Sequence, residues 1–151
     1  MAITQAIANT FKQQLLEGEH NFGSGDDKFK IALYTSSATL NSSTTAYATN
    51  PGGGANTEVA NSGQYTAGGG LLVNQATSLT AGVARADFAD RSFTGVTLTA
   101  RGALIYNTSA TVTNAAVCAL DFGSDKTATA GVFTIQFPAA TSTAAILRIS
   151  G

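Results

Sequence analysis

Charge is scarce in this chain. Of 151 residues only 11% are Asp, Glu, Lys or Arg, the formal net charge is −1, and no basic run occurs. Soluble proteins average roughly 25% charged residues. The deficit excludes a nucleic-acid surface, which needs clustered Lys and Arg to track phosphates. Tryptophan is absent, and cysteine and histidine occur once each, as Cys118 and His20. A single cysteine forms no intrachain disulfide, and one Cys with one His builds no zinc framework, so no metal or cofactor is expected. Cys118, inside "AAVCAL", reads as a small buried hydrophobe. No apolar run reaches the roughly 20 residues of a membrane-spanning helix. The first residues lack the basic and apolar regions of a signal peptide, so synthesis in a cytoplasm is expected, with no membrane partner. Without secretion, the glycosylation patterns at Asn41 and Asn107 carry no meaning.

What is present is apolar and turn-rich. The chain is 44% hydrophobic with 16 glycines, and its polarity comes mostly from Ser, Thr and Asn. That mixture suits short strands punctuated by turns, and the length suits one domain with its own core. Low charge also reduces the desolvation penalty of packing one surface on another.

The opening "ITQAIANTFKQQLLEG" places Ile3, Ile7, Phe11 and Leu15 at intervals of four. That spacing predicts an amphipathic helix over residues 1–17, ended by Gly18, serving as a cap on the core or as an arm for a neighbour. Residues 18–151 read as one β domain. "KFKIALY" alternates Phe29, Ile31 and Leu33 against Lys28, Lys30 and Tyr34, which predicts a strand with one solvated face. The stretch from Thr35 to Gly70 holds few apolar side chains and two triple-glycine runs. Its part at 50–70 reads as a Gly-rich surface loop and a candidate contact surface through Asn50, Pro51, Gly52 and Tyr65. Further strands are expected at Leu71–Asn74, Ala84–Ala89, Gly95–Thr99, Gly102–Tyr106, Ala115–Phe122, Gly131–Phe137 and Ala144–Ile149. "FGSDKTATAG" reads as a polar hairpin loop between two of them. About eight antiparallel strands with one N-terminal helix imply a two-sheet, jelly-roll-like β-sandwich.

Catalytic machinery is not evident. His20 with Asp26 and Asp27 precedes a strand, but no second histidine and no nucleophile elbow accompany them, so they read as a helix-to-sheet connection. "PGGGANTEV" lacks the lysine and following helix of a phosphate loop. "DFG" at Asp121–Gly123 stands without the rest of a kinase. Asp87 and Asp90, flanked by Arg85 and Arg91, read as a surface ion-pair group and not as a glycosidase dyad. Asp121 and Asp125 match no calcium loop. Arg101, alone in an apolar strand, is expected to snorkel or to meet an acid. The chain is read as non-enzymatic, with no catalytic residues.

"FKIALYTSSATLNSSTTAY", "ARGALIYN", "ALDFGSDKTATAGVFTIQFP" and "AILRIS", with the opening segment, resemble a family of small structural proteins of tailed bacteriophages. The resemblance spans nearly the whole chain, least so from Asn50 to Gly70. It implies a virion component and brings no catalytic residues. It does not say which component; charge-poor faces, exposed loops and a terminal helix suit a capsid decoration or cement protein, self-associating as a homotrimer and bridging major capsid protein subunits. A tail component and a glycan-binding host-recognition module are the alternatives. The partner surface is expected at Ile3, Ile7, Phe11 and Leu15 and at the 50–70 loop.

Overall fold

A computed structural model describes residues 2–73 and 75–151. Its elements are β1 (Ala6–Ile7), α1 (Asn9–Leu16), β2 (Phe29–Tyr34), β3 (Gly70–Leu71), β4 (Ala76–Thr80), β5 (Val83–Asp87), β6 (Arg91–Asn107), β7 (Ala115–Ile135) and β8 (Leu147–Ile149). They form two antiparallel sheets, one ordered β1-β7-β6-β2-β3 and the other β4-β5-β8. The fold is mainly β, with one short helix, consistent with a β-sandwich.

The central feature is the β6–β7 hairpin, whose register runs from Arg91↔Ile135 to Asn107↔Ala115. Sequence periodicity divides each arm into two strands, because β-bulges reset the alternation. Phe93 and Val96 are three residues apart yet both buried, and the extra residue falls at Gly95, whose φ is 63°. The expected loop "FGSDKTATAG" is likewise part of β7. Between Ala100↔Lys126 and Gly102↔Asp121, two steps along β6 match five along β7. The surplus bulges out at Gly123, with φ 77° and its amide donating to Asp121 Oδ1 at 2.8 Å. A turn-like signal is there, but the strand kinks and keeps its partner instead of reversing. Near this bulge Arg101 Nε meets Asp121 Oδ1 at 3.2 Å, the one ion pair among the described residues.

The helix is shorter than its spacing predicts. Ala6 and Ile7 are extended and pair with Ala119 and Cys118 of β7, and Ile3 bridges Leu40, so helix begins only at Asn9. A spacing of four fits both a strand period of two and a helix period of 3.6. Ala8 caps the helix without any side-chain hydrogen bond, which leaves no sequence signal for its start.

β2 has no solvated face. Tyr34 is fully buried, because Thr57–Val59 lie along the end of β2: Thr35 N–H donates to Thr57 O and Val59 N–H to Leu33 O. Between the sheets, Phe11, Phe22, Phe29, Phe88 and Phe137 form a chain of ring contacts with centroids 4.4–6.4 Å apart. Of the strands expected from sequence, Leu71–Asn74 shrinks to β3 with Leu71 as its last residue, and Asn74 lies outside the described residues. β4 was not anticipated, since its five residues are all exposed and carry a single large apolar side chain, Leu79.

Candidate docking groove

The polar groups that drew attention in the sequence are used up inside the fold. His20 is buried at the end of the connection from α1. Its Nδ1 faces the Asn107 amide nitrogen at 3.1 Å, so Nδ1 accepts and Nε2–H donates to Gln14 Oε1 at 3.0 Å. The same Asn107 amide donates to Asp27 Oδ2 at 2.7 Å, and the Phe11 ring lies 4.8 Å from the imidazole. Both ring nitrogens are committed, and Asp27 orders the backbone through Asn21 N–H. Burial holds the His20 pKa below its ordinary 6.5, with Asp27 and Glu19 partly opposing. A histidine kept neutral when folded binds fewer protons than when unfolded. Its contribution is therefore present above pH 6.5 and lost as pH falls below that value. Unfolding free energy measured against pH should decline on that side, and His20→Gln should flatten the decline.

A second cluster was missed in the sequence. Glu58 is the sole charged residue between Lys30 and Arg85, and all four tyrosines of the chain converge on its neighbourhood. Its carboxylate is buried and accepts from Tyr47 Oη at 2.7 Å, Tyr65 Oη at 3.0 Å and Gly68 N at 2.6 Å. Tyr34 Oη donates to Ala48 O and Tyr106 Oη to Gly68 O. Desolvation, with Glu58 adding repulsion, raises every tyrosine above its ordinary value, Tyr106 to about 12. Cys118 is buried and its thiol is pushed up to about 12 by desolvation, so it is not a reactive thiolate. The expected ion-pair group at Arg85–Arg91 does not form. Asp90 accepts from Phe137 N–H, Arg91 stacks 4.8 Å over the Phe93 ring, and Arg85 bonds hydroxyls. Among the described residues no cluster of three metal-ligating side chains exists.

The predicted contact residues separate into three groups. Ile3, Phe11 and Tyr65 are buried in the core and are not surface residues, which corrects their assignment; Phe11 only underlies the docking groove. Ile3 is held by its bridge to Leu40, and Tyr65 by its bonds to Glu58 and to Leu33 N. Asn50 and Gly52 are exposed and Pro51 is half-buried, but Thr57, Glu58 and Val59 of the same loop are inside. Ile7, Phe11 and Leu15 do come together. They line a groove of about 170 Å³ with Phe22 on one side and Ala84, Ala86, Leu147 and Ile149 on the other.

Strand register explains the far wall. Thr77↔Ala86↔Leu147 and Leu79↔Ala84↔Ile149 are successive rows on one face of the small sheet. The first row is largely covered, with Ala86 and Leu147 buried. The second overhangs: Leu79 is 73% exposed and Ile149 59%. Leu16 on α1 is 91% exposed. The groove is thus apolar with an apolar rim, the arrangement expected of a surface that is covered in an assembly. No family model, curated protein or solved structure matches the chain. No helix among the described residues is long and apolar enough to cross a membrane.

Proposed function

We propose that the protein is a bacteriophage virion component, a decoration protein that attaches to the outside of the head and ties neighbouring major capsid protein subunits together. The resemblance of "ARGALIYN" and "ALDFGSDKTATAGVFTIQFP" to phage structural proteins supplies the setting. The observation that carries the adhesive role is the apolar groove of Ile7, Phe11, Leu15, Leu147 and Ile149 on a charge-poor chain. Internal pressure from packaged DNA loads the seams of a shell, and a clamp resists it by burying area across a seam. A standard interface of roughly 1,600 Å² suffices for stable attachment. His20, Glu58 and Cys118 have structural roles here, so the proposal needs no turnover, cofactor or metal. Self-association as homotrimers belongs to the same proposal.

Leu15→Asp with Ile149→Asp should lower the thermal transition only by several degrees and leave it cooperative, because Leu15 is half-buried against the core and Ile149 is 59% exposed. The pair should reduce co-sedimentation with particles lacking the protein by tenfold or more, a loss of about 1.4 kcal/mol or greater. Undiminished binding would remove the groove from the interface. A tail location is the competing outcome, decided by copy number. Abundance close to that of the capsid protein supports decoration, and a handful of copies per particle supports the tail.

A further inference from the structure

The edges of the two sheets are not alike. The large sheet ends in β1 and β3, of two residues each. Where β7 runs on past β1 it carries Asp125, Lys126 and the Gly123 bulge. The small sheet ends in β8, three residues with Arg148 at their centre, and in β4. Shortness, charge, bulges and proline are the devices that keep an edge from pairing with another chain. β4 has none of them. Its sequence ATSLT runs five residues without charge, proline or register shift, and all five are exposed.

The hairpin geometry fixes which backbone groups of β4 point outward. Ala81 and Gly82, with φ 52° and 75°, join β4 to β5 in a type I′ turn whose hydrogen bond links Thr80 and Val83. Along an antiparallel ladder such bonded pairs alternate with unbonded ones. Thr80, Ser78 and Ala76 therefore turn their N–H and C=O groups toward β5, and Thr77 and Leu79 turn theirs away. Among the described residues β4 pairs with β5 alone, so these outward groups form an open template.

We infer that β4 is a self-association edge, to which β4 of a second copy adds in antiparallel register across a two-fold axis at Ser78. In that register Thr77 faces Leu79 of the second copy and Leu79 faces its Thr77, so the outward groups of both copies satisfy one another. Neither strand has to be reordered, since each is already held in a hairpin. The pairing brings no charges together within the ladder. Each Arg85 is drawn toward its own Thr80, with Nη2 donating to Oγ1 at 2.8 Å, and the two Thr80 residues lie at opposite ends of the pair. The joined sheet has six strands, and the rows Leu79↔Ala84↔Ile149 and Thr77↔Ala86↔Leu147 run into each other across the axis. Two grooves then open on one face, which gives a bridging protein two attachment points. That consequence rests on the docking reading given above; the pairing itself does not. A two-fold contact joins chains, or the proposed trimers, in pairs.

The experiment uses the isolated full chain. Cys118 is buried, so an introduced surface cysteine reports alone. Ser78→Cys should form a disulfide-linked pair under mild oxidation, because facing Cα atoms of an unbonded antiparallel pair lie about 4.5 Å apart. Ala76→Cys should not, since its counterpart lies four residues along the pair, roughly 13 Å away. By analytical ultracentrifugation wild type should show twice the mass of Thr77→Pro, which removes an outward N–H and no bond to β5. Leu79→Lys, a charge on a side chain 73% exposed, should halve the mass in the same way and covers the case that the proline variant misfolds. Equal masses for wild type and Leu79→Lys would overturn the pairing. Failure of Ser78→Cys to link, or equal linkage at Ala76→Cys, would overturn the register. Since no particle is present, failure here is distinct from failure of particle attachment.

Discussion

Replacing Glu58 with alanine is expected to cost about 3–5 kcal/mol of folding stability, because several buried donors lose a charged acceptor together. Three donors lose their acceptor at once: Tyr47 Oη, Tyr65 Oη and Gly68 N. Hydrogen bonds to a charged group are worth about 1.5–3 kcal/mol each, and buried donors left unpaired add a desolvation cost. Against a typical total of 5–15 kcal/mol, such a loss approaches global unfolding. Glu58→Gln retains an acceptor oxygen but turns an amide donor on the same neighbours, so a smaller loss is expected. Urea denaturation measures both, and a loss under about 1 kcal/mol for the alanine variant would contradict the cluster's role.

The tyrosines report on the same cluster spectroscopically. A group whose pKa is raised in the folded state keeps its proton there while the unfolded chain releases its own. Stability is therefore full below pH 10.0 and declines above it. Tyrosinate absorbance should be nearly absent at pH 10 in native protein, where an unperturbed tyrosine is half ionised, and should appear on unfolding. Half-ionised tyrosines in the native state at that pH would contradict the desolvation and Glu58 repulsion described for all four.

The second large effect concerns the first seventeen residues. Their removal is expected to unfold the domain, as the cap reading of this segment requires and the arm reading does not. Ile3, Ala8 and Phe11 are buried, Ala6 and Ile7 pair with β7, and Thr4 N–H donates to Leu40 O. Burying a large apolar side chain contributes about 1.5–3 kcal/mol. Two of these, with the lost ladder and newly exposed β7 surface, reach the order of the whole stability. Circular dichroism of the truncated chain should show no cooperative thermal transition. Retention of a transition within a few degrees of the intact protein would show that the segment is a separable arm. One consequence is practical: attachment has to be tested at Leu15 and Ile149 and not by deletion.

How much of this was legible in the sequence follows from which signals are local. The β character, the antiparallel pairing and the place of His20 in the connection before β2 follow from alternation and turn residues, whereas the strand total agrees only because two mergers into β6 and β7 offset the unexpected β1 and β4. The long hairpin was not legible as such, because Gly95 and Gly123 look the same in a bulge as in a turn. Only the partner strand shows that β6 and β7 continue past them. The start of α1 was hidden because Ile3 and Ile7 satisfy both periodicities. The groove was half visible: Ile7, Phe11 and Leu15 were expected together, but Leu147, Ile149 and Ala84 arrive through long-range pairing of β5 with β8. Glu58 left one trace, a lone acid in a long uncharged stretch, and its four tyrosine neighbours are scattered from Tyr34 to Tyr106. The Arg85–Arg148 pairing joins residues 63 positions apart, a juxtaposition set by register alone.

The adhesive account is tested most directly by cryo-electron microscopy of the phage particle that carries this chain. The account predicts density for the β-sandwich on the outer surface of the head, at an abundance near that of the capsid protein, with Ile7, Leu15 and Ile149 turned onto a capsid subunit. Particles without the chain, or with the Ile7–Leu15–Ile149 groove open to solvent in every copy, would contradict it.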